Sequence, residues 1–409
     1  MKILHTSDWH IGHTLYGRQR QDEFEALLIW LVELLRQEAV DLLLIAGDIF
    51  DSPAPSTKAQ SFYYRLLAEA SKQCRHVLII GGNHDSPALL DAPAALLQPL
   101  NLHIIGGKRE LPEQEVRLLS APDGTPELLV AAVPYLRERD LRIPSPGESP
   151  EEKEQQLLEG LRQHYQNVIA QAEQLRRQLP LRLPLLVTGH LFASGCPQSS
   201  DDGMRDLYVG SLGQFPLSLL PEGIDYLALG HLHRPQMVNG NPHLRYSGSP
   251  LPMGFAESHL AKSVTLVTLE PDNCVVQLLP VPRFQELLSL RGSWPEIEAA
   301  LLKLLHTGSQ AWLEIIHTGT ERIGNLRERI EQLTATATLQ VLRIKEQRLL
   351  EQAHQQEYTD EPLQDLDPQE VFSLCMQQLG VQADQQTLLL AGYQEILHQL
   401  FIDPTHEKG

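Results

Sequence analysis

Up to about residue 282, short apolar runs alternate with amphipathic stretches along the chain. The runs Lys2–His5, Leu42–Ala46, Val77–Ile80, His103–Ile105, Leu128–Val133, Leu185–Thr188 and Tyr226–Leu229 are largely apolar and end close to Gly, Asp or Pro. Strands buried on both faces read this way, and the pattern predicts a layered α/β domain. Between them, Asp22–Glu38 sets Phe24, Leu27, Leu28, Leu31, Leu34 and Leu35 on one helical face. Thr57–Ala70 is a second helix, with Thr57 in the N-cap position. The segment Ile143–Pro184 interrupts the alternation: it opens on Pro144, Pro146 and Pro150, runs through a Glu/Gln-rich helix at Pro150–Gln178, and closes at Pro180 and Pro184. A solvated amphipathic helix leaving the domain is the expected structure.

From Phe284 the pattern changes. Phe284–Arg291, Ala311–His317 and Leu339–Glu346 read as strands, with helices at Trp294–Leu305 and Glu321–Thr334 between them. That β-α-β-α-β order predicts a small α+β domain over residues 283–350. Gln352–Asp367 is polar and acidic, which assigns residues 351–367 to a linker. Residues 368–409 open on Asp367-Pro368 and carry two amphipathic stretches, Glu370–Leu379 and Gln386–Phe401. Leu388, Leu389, Tyr393, Ile396, Leu397 and Leu400 line the second, a stripe that packs either on its own chain or on a partner.

A chain of 409 residues exceeds what one core serves, in keeping with a large domain over 1–282 and smaller parts after it. Hydrophobic residues make up 42% and charged residues 21%, an ordinary globular balance. No apolar run is long enough to cross a bilayer, and MKILHTSDWH lacks the apolar core of a signal peptide. Cys74, Cys196, Cys274 and Cys375 show no C-x-x-C spacing, which argues against a zinc module or disulfide framework. A cytoplasmic protein is expected. The formal net charge of −19 changes the picture most. Nucleic-acid binders that act alone present a basic face, so the charge favours an enzyme working through metals over a simple DNA-binding module.

Five polar motifs stand at or near predicted strand ends: Asp8-Trp9-His10, Gly47-Asp48-Ile49-Phe50-Asp51, Gly82-Asn83-His84-Asp85, Gly189-His190 and Gly230-His231-Leu232-His233. Gly permits the sharp turn where a strand hands over to a loop, and such loops meet above the C-terminal edge of a sheet. Taken singly, each motif is commonplace in a chain with 17 histidines. Five in this order, each at a strand end, point to one site. Carboxylates and an Asn oxygen suit Mn²⁺ or Mg²⁺, while imidazoles shift the preference toward Mn²⁺, Fe or Zn²⁺. A shared carboxylate holds two cations together, and Asp48 is the candidate bridge.

The set D-x-H, G-D-x-x-D, G-N-H-D, G-H and G-H-x-H resembles the calcineurin-like metallophosphoesterase superfamily. TSDWHIG at the start, DLYVG at 206–210, GHLHR at 230–234 and RYSGSP at 245–250 resemble a branch of bacterial nuclease subunits within it. The resemblance implies a layered β-sandwich core flanked by helices, with an α+β capping domain that helps choose the DNA structure. It implies one metal held by Asp8, His10, Asp48 and His233, and a second by Asp48, Asn83, His190 and His231. His84 matches the catalytic histidine that assists the leaving oxygen, and Asp51 the residue that orients it. The implied activity is Mn²⁺-dependent cleavage of DNA, with Mg²⁺ as the other metal. It comprises exonuclease action on duplexes and endonuclease action on single strands and hairpins, in end processing, repair and recombination. The implied partner is a coiled-coil ATPase, bound by a homodimer of this chain through the tail helices. Arg18, Arg20 and Arg234 are candidate contacts to the DNA backbone, and Tyr16 and Trp9 candidate stacking residues, with core packing the more natural use of Trp9. Two alternatives stand beside this reading. A phosphatase or phosphodiesterase for small esters would not need the accessory parts, and a non-catalytic DNA-end scaffold would not need a complete ligand set.

Overall fold

The computed structural model describes residues 1–145, 147–194, 215–319, 326–346 and Leu389. DLYVG, the linker and, Leu389 apart, the tail helices lie outside the described residues. The strands in chain order are β1 (Lys2–Thr6), β2 (Thr14–Leu15), β3 (Arg18–Gln19), β4 (Leu42–Ala46), β5 (His76–Ile80), β6 (Leu102–Ile105), β7 (Val116–Ser120) and β8 (Pro126–Ala131). There follow β9 (Leu185–His190), β10 (Tyr226–Gly230), β11 (Gln236–Val238), β12 (Asn241–Tyr246), β13 (Ser263–Glu270), β14 (Asn273–Pro280), β15 (Leu287–Gly292), β16 (Trp312–His317) and β17 (Gln340–Glu346).

Two six-stranded sheets, ordered β14-β13-β1-β4-β5-β6 and β11-β12-β10-β9-β8-β7, form a sandwich. Alternation of side chains explains why its central strands are apolar throughout. Leu42, Leu44 and Ala46 of β4 and Leu78 and Ile80 of β5 join Leu186, Tyr226 and Ala228 of the other sheet in the inter-sheet core. Leu43, Ile45, Val77 and Ile79 point the opposite way, onto helices Gln21–Gln37 and Thr57–Gln73. Leu185, Val187, Leu227 and Leu229 likewise face Tyr165, Val168, Ile169 and Ala172 of helix Pro150–Gln178. The result is helix, sheet, sheet, helix. Within it β1, β4, β5 and β6 run parallel, as do β8, β9, β10 and β12, so each sheet presents its C-terminal strand ends along one edge.

Two expectations need correction. Helix Pro150–Gln178 is no excursion off the domain, because Leu157, Leu161, Tyr165, Val168, Ile169 and Ala172 form a stripe that covers the second sheet. Most of its charges lie on the outer face, while Arg176 is buried and paired with Glu173 and Asp225. The second helix is capped by Ser56, not Thr57: Ser56 is extended and its Oγ accepts from Ala59 N at 3.2 Å. The antiparallel strands β13 and β14 also went unread in the sequence. β14 alternates between exposed and half-buried positions, and β13 interleaves Ser and Thr with its apolar residues.

The chain divides into two compact units, the first holding Met1–Ser289, Leu304–Glu314 and Thr336–Arg343. The second holds Leu290–Lys303, Ile315–Ala335 and Ile344 onward. Strands β15, β16 and β17 form a three-stranded sheet in that order. Among the described residues no helix is long and apolar enough to cross a membrane.

Candidate metal centre

All five motifs converge within the first unit. Asp8, Asp48, Asn83, His190 and His231 stand at or just beyond the C-terminal ends of β1, β4, β5, β9 and β10. The loops after β1 and β4 are stitched together, with Asp8 N donating to Gly47 O and His10 N to Asp48 O, both at 3.0 Å. Asp8, His10 and Asp48 adopt φ of 54°, 48° and 51°, in the left-handed region that costs about 1–2 kcal/mol per non-glycine residue. Backbone strain of this kind gathers where a site over-determines its geometry. Gly47, at φ 90°, leaves room for the His190 ring, and Gly82 for the Asp48 carboxylate; a Cβ at either would overlap those atoms.

Three groups of donors result, each with its ligand atoms within 4.8 Å of one another: Asp8, His10 and His233; Asp48, His190 and His231; and His10, Asp48 and His84. Asn83 Oδ1 adds to the second, 3.0 Å from His190 Nε2 and 3.1 Å from His231 Nδ1. His190 Nδ1 donates to Ala46 O at 2.9 Å, which turns Nε2 toward Asp48 Oδ2 at 3.2 Å. His10 Nε2 and His233 Nε2 face each other across 3.2 Å. Ring nitrogens and carboxylate oxygens aimed inward from buried loops are a donor set that fits divalent cations. Asp48 belongs to the second group, and its Oδ2 also lies 3.7 Å from His10 Nε2 of the first.

The electrostatics carry the same message. Burial disfavours a charged ring at His190, yet the Asp48 carboxylate beside it lifts its pKa to about 9, so a proton occupies the place a cation would take. Burial and the neighbouring His190 charge lower His231 to about 3, keeping that ring neutral. Burial would raise Asp48, but His190 and His10 hold it well below the usual carboxylate range.

Several residues that support the site were not evident in the sequence. Asp85 is fully buried and accepts from Gly82 N at 2.8 Å, Phe50 N at 2.9 Å and Ile49 N at 3.1 Å, tying the loop after β5 to the loop after β4. Burial and Asp48 raise its carboxyl to about 6. Ser7 Oγ donates to Asp8 Oδ2 at 2.5 Å, and His231 N to Asp8 Oδ1 at 2.9 Å. Glu257 Oε1 accepts from His233 Nδ1 at 3.3 Å. Burial would raise Glu257, but His233 and the Lys262 ammonium hold it at about 2. The motif Asn83-His84-Asp85 signalled a loop; that Asp85 faces inward is a tertiary fact.

His84 Nδ1 donates to the Asp51 backbone carbonyl at 3.0 Å, leaving Nε2 to face the donor groups. The Asp51 carboxylate lies elsewhere, 3.0 Å from His13 Nδ1 and 3.5 Å from His10 Nδ1. Arg20 needs correction as a DNA contact: it is buried, donates to both Glu23 oxygens at 2.6 and 2.8 Å and to Pro252 O at 2.7 Å, and has no face left for phosphate. Arg18 and Arg234 are exposed, Arg18 with its guanidinium 5.8 Å from the Trp312 ring centre. Trp9 is buried in the core and donates Nε1 to Thr6 Oγ1 at 3.0 Å. Tyr16 stacks on Phe255 at 5.8 Å between ring centres and carries the Arg343 guanidinium over its ring at 4.8 Å.

Residues 1–235 match the calcineurin-like phosphoesterase family, and residues 283–379 match a family described as the type 5 capsule protein repressor C-terminal domain. The chain is 35% identical over 406 residues to the D subunit of nuclease SbcCD from Escherichia coli K12, covering 98% of each chain. It is also 35% identical to the proteins of the same name from Rhodobacter capsulatus, over 74% of this chain and 76% of that one, and Bacillus subtilis, over 66% and 67%.

Proposed function

The chain belongs to the calcineurin-like phosphoesterase family and to its group of SbcCD nuclease D subunits, and on that premise we propose that it is the DNA-cleaving subunit of such a complex. It is a hydrolase of phosphodiester bonds that depends on divalent metal. One observation carries the reading. Side chains from five sequence-distant motifs, on two sheets, converge into adjacent ligand groups around Asp48. In this proposal one ion is held by Asp8, His10, Asp48 and His233 and the other by Asp48, Asn83, His190 and His231, with Mn²⁺ preferred to Mg²⁺.

When bound, two such ions supply Lewis-acid stabilisation of the phosphate and lower the pKa of the attacking water. The protein does the rest. The left-handed turns at Asp8, His10 and Asp48 fix the donors before substrate arrives, so little reorganisation accompanies reaction. Because its Nδ1 is committed to the Asp51 carbonyl, His84 presents Nε2 to the scissile phosphate and delivers the proton to the leaving oxygen. Asp51 thus orients His84 through its backbone. The products are a 3′-hydroxyl and a 5′-phosphate. Arg18 and Arg234 contact phosphates rather than bases, so base identity matters little.

With a net charge of −19, affinity for DNA comes largely from the assembly. The partner is an SbcC-type coiled-coil ATPase, docked by residues 368–409 on a homodimer of this chain. Residues 283–350 select among DNA structures, linear ends and hairpins, in the cytoplasm. The test is cleavage of labelled linear and hairpin DNA with Mn²⁺ and the partner. His84→Ala and Asp48→Ala are each expected to lose at least about 10²-fold in rate, the scale of a general acid or an electrostatic group. Robust cleavage by both would overturn the assignment. Turnover of small phosphate esters without DNA cleavage would favour a phosphatase instead.

A further inference from the structure

A buried ion pair stands behind one of the two ligand groups. Glu257 is 2% exposed and Lys262 6%, and the Lys262 ammonium meets Glu257 Oε2 at 2.6 Å. Lys262 Nζ also donates to His233 O at 3.0 Å and Ser249 Oγ at 2.8 Å, and Met253 N donates to Glu257 Oε2 at 2.9 Å. One carboxylate oxygen is therefore committed to the pair. The other, Oε1, faces His233 Nδ1 at 3.3 Å, while Nε2 of the same ring faces His10. Both the ring and the carbonyl of residue 233 are thus held by one pair. The neighbouring rings are held differently: His190 and His84 direct Nδ1 to backbone carbonyls, Ala46 and Asp51. A carboxylate at that position fixes the tautomer and makes the opposite nitrogen more basic than a carbonyl does.

We propose that Glu257, locked by Lys262, is a positioning residue for His233: it holds the proton on Nδ1 and presents Nε2, as a strong donor, to the ion shared with Asp8 and His10. The proposal rests on the two-metal reading above. Its consequence is selective. Loss of Glu257 weakens the ion held by Asp8, His10 and His233 and leaves the one held with His190 and His231 intact. The expected size is about 10- to 100-fold in affinity, as for other residues behind a metal-bound histidine.

The experiment is calorimetric titration of the full chain with Mn²⁺, for the parent, Glu257→Ala, Glu257→Gln and His190→Ala. The parent is expected to bind two ions. Glu257→Ala should lose affinity for one of them, Glu257→Gln should restore part of it through its amide oxygen, and His190→Ala should weaken the other. A parent that binds fewer than two ions overturns the two-metal reading and this proposal with it. A parent that binds two, with Glu257→Ala binding both as tightly, overturns this proposal alone. Should Glu257→Ala fail to fold, Glu257→Gln decides: parent affinity at both sites overturns the proposal, and selective loss at one supports it. A merely structural role would lower the melting temperature without separating the two affinities.

Discussion

In the proposed two-metal site, protons and metal ions compete for His190, and the structure sets the terms. Asp48 lifts the buried ring to about 9 in the metal-free protein, so at neutral pH the site is occupied by a proton. Displacing it costs about 1.4 kcal/mol for each unit between the pH and that value, or about 3 kcal/mol at pH 7. Apparent affinity at the His190 site should therefore rise with pH by about tenfold per unit, approaching two orders of magnitude between about pH 6.5 and about pH 8.5. His233, which Glu257 raises against burial, adds to the trend at the other site. The assay is anaerobic competition titration of Mn²⁺ against a chelator across that range. Calorimetry in buffers of different ionisation enthalpy counts the protons released. The metal-free protein should show the opposite slope. A histidine raised in the folded state contributes stability fully present below its unfolded value of about 6.5, and lost as pH rises through about 9. Its melting temperature should fall across the window in which its metal affinity rises. Affinity independent of pH with no proton released would refute the placement of His190 against Asp48.

The arginines separate by the same logic. Arg20→Ala strands the buried Glu23 carboxylate and should cost about 3–5 kcal/mol of stability while leaving the salt dependence of DNA binding unchanged. Arg18→Ala and Arg234→Ala should leave the melting temperature alone and lower the slope of log affinity against log salt by about 1 each. Leu44→Ala, in the inter-sheet core, should cost about 2–5 kcal/mol. Mn²⁺ affinity below the melting transition should then be unchanged, because Leu44 touches the core and not the loops.

The accessory parts weigh on how the chain finds its substrate. A formal net charge of −19 offers DNA little overall attraction. Tyr16 has Phe255 on one face and the Arg343 guanidinium over its ring, which makes it a poor platform for a stacked base.

The sequence by itself determined the central strands and singled out the candidate donors. β4 is readable because both its faces are buried, which makes Leu42–Ala46 apolar without a break. Asp8, Asp48, Asn83, His190 and His231 are readable because each follows such a run, and a parallel sheet leaves strand ends no other destination than one edge. What the sequence left open is whatever depends on a partner far along the chain. Arg20 has the composition of a DNA contact and the surroundings of a core residue, since Glu23 and Pro252 happen to enclose it. Helix Pro150–Gln178 is rich in charge, but which face meets solvent is settled by the second sheet. Asp85 stands in a short motif and Glu257 in none, but the role of either carboxylate is set by which donors surround it. Only folding brought Gly82, Ile49 and Phe50 to the one and His233 and Lys262 to the other. The candidate ligands were thus legible from their own short motifs, and the groups that hold them in place were less so, because their partners come from elsewhere in the fold.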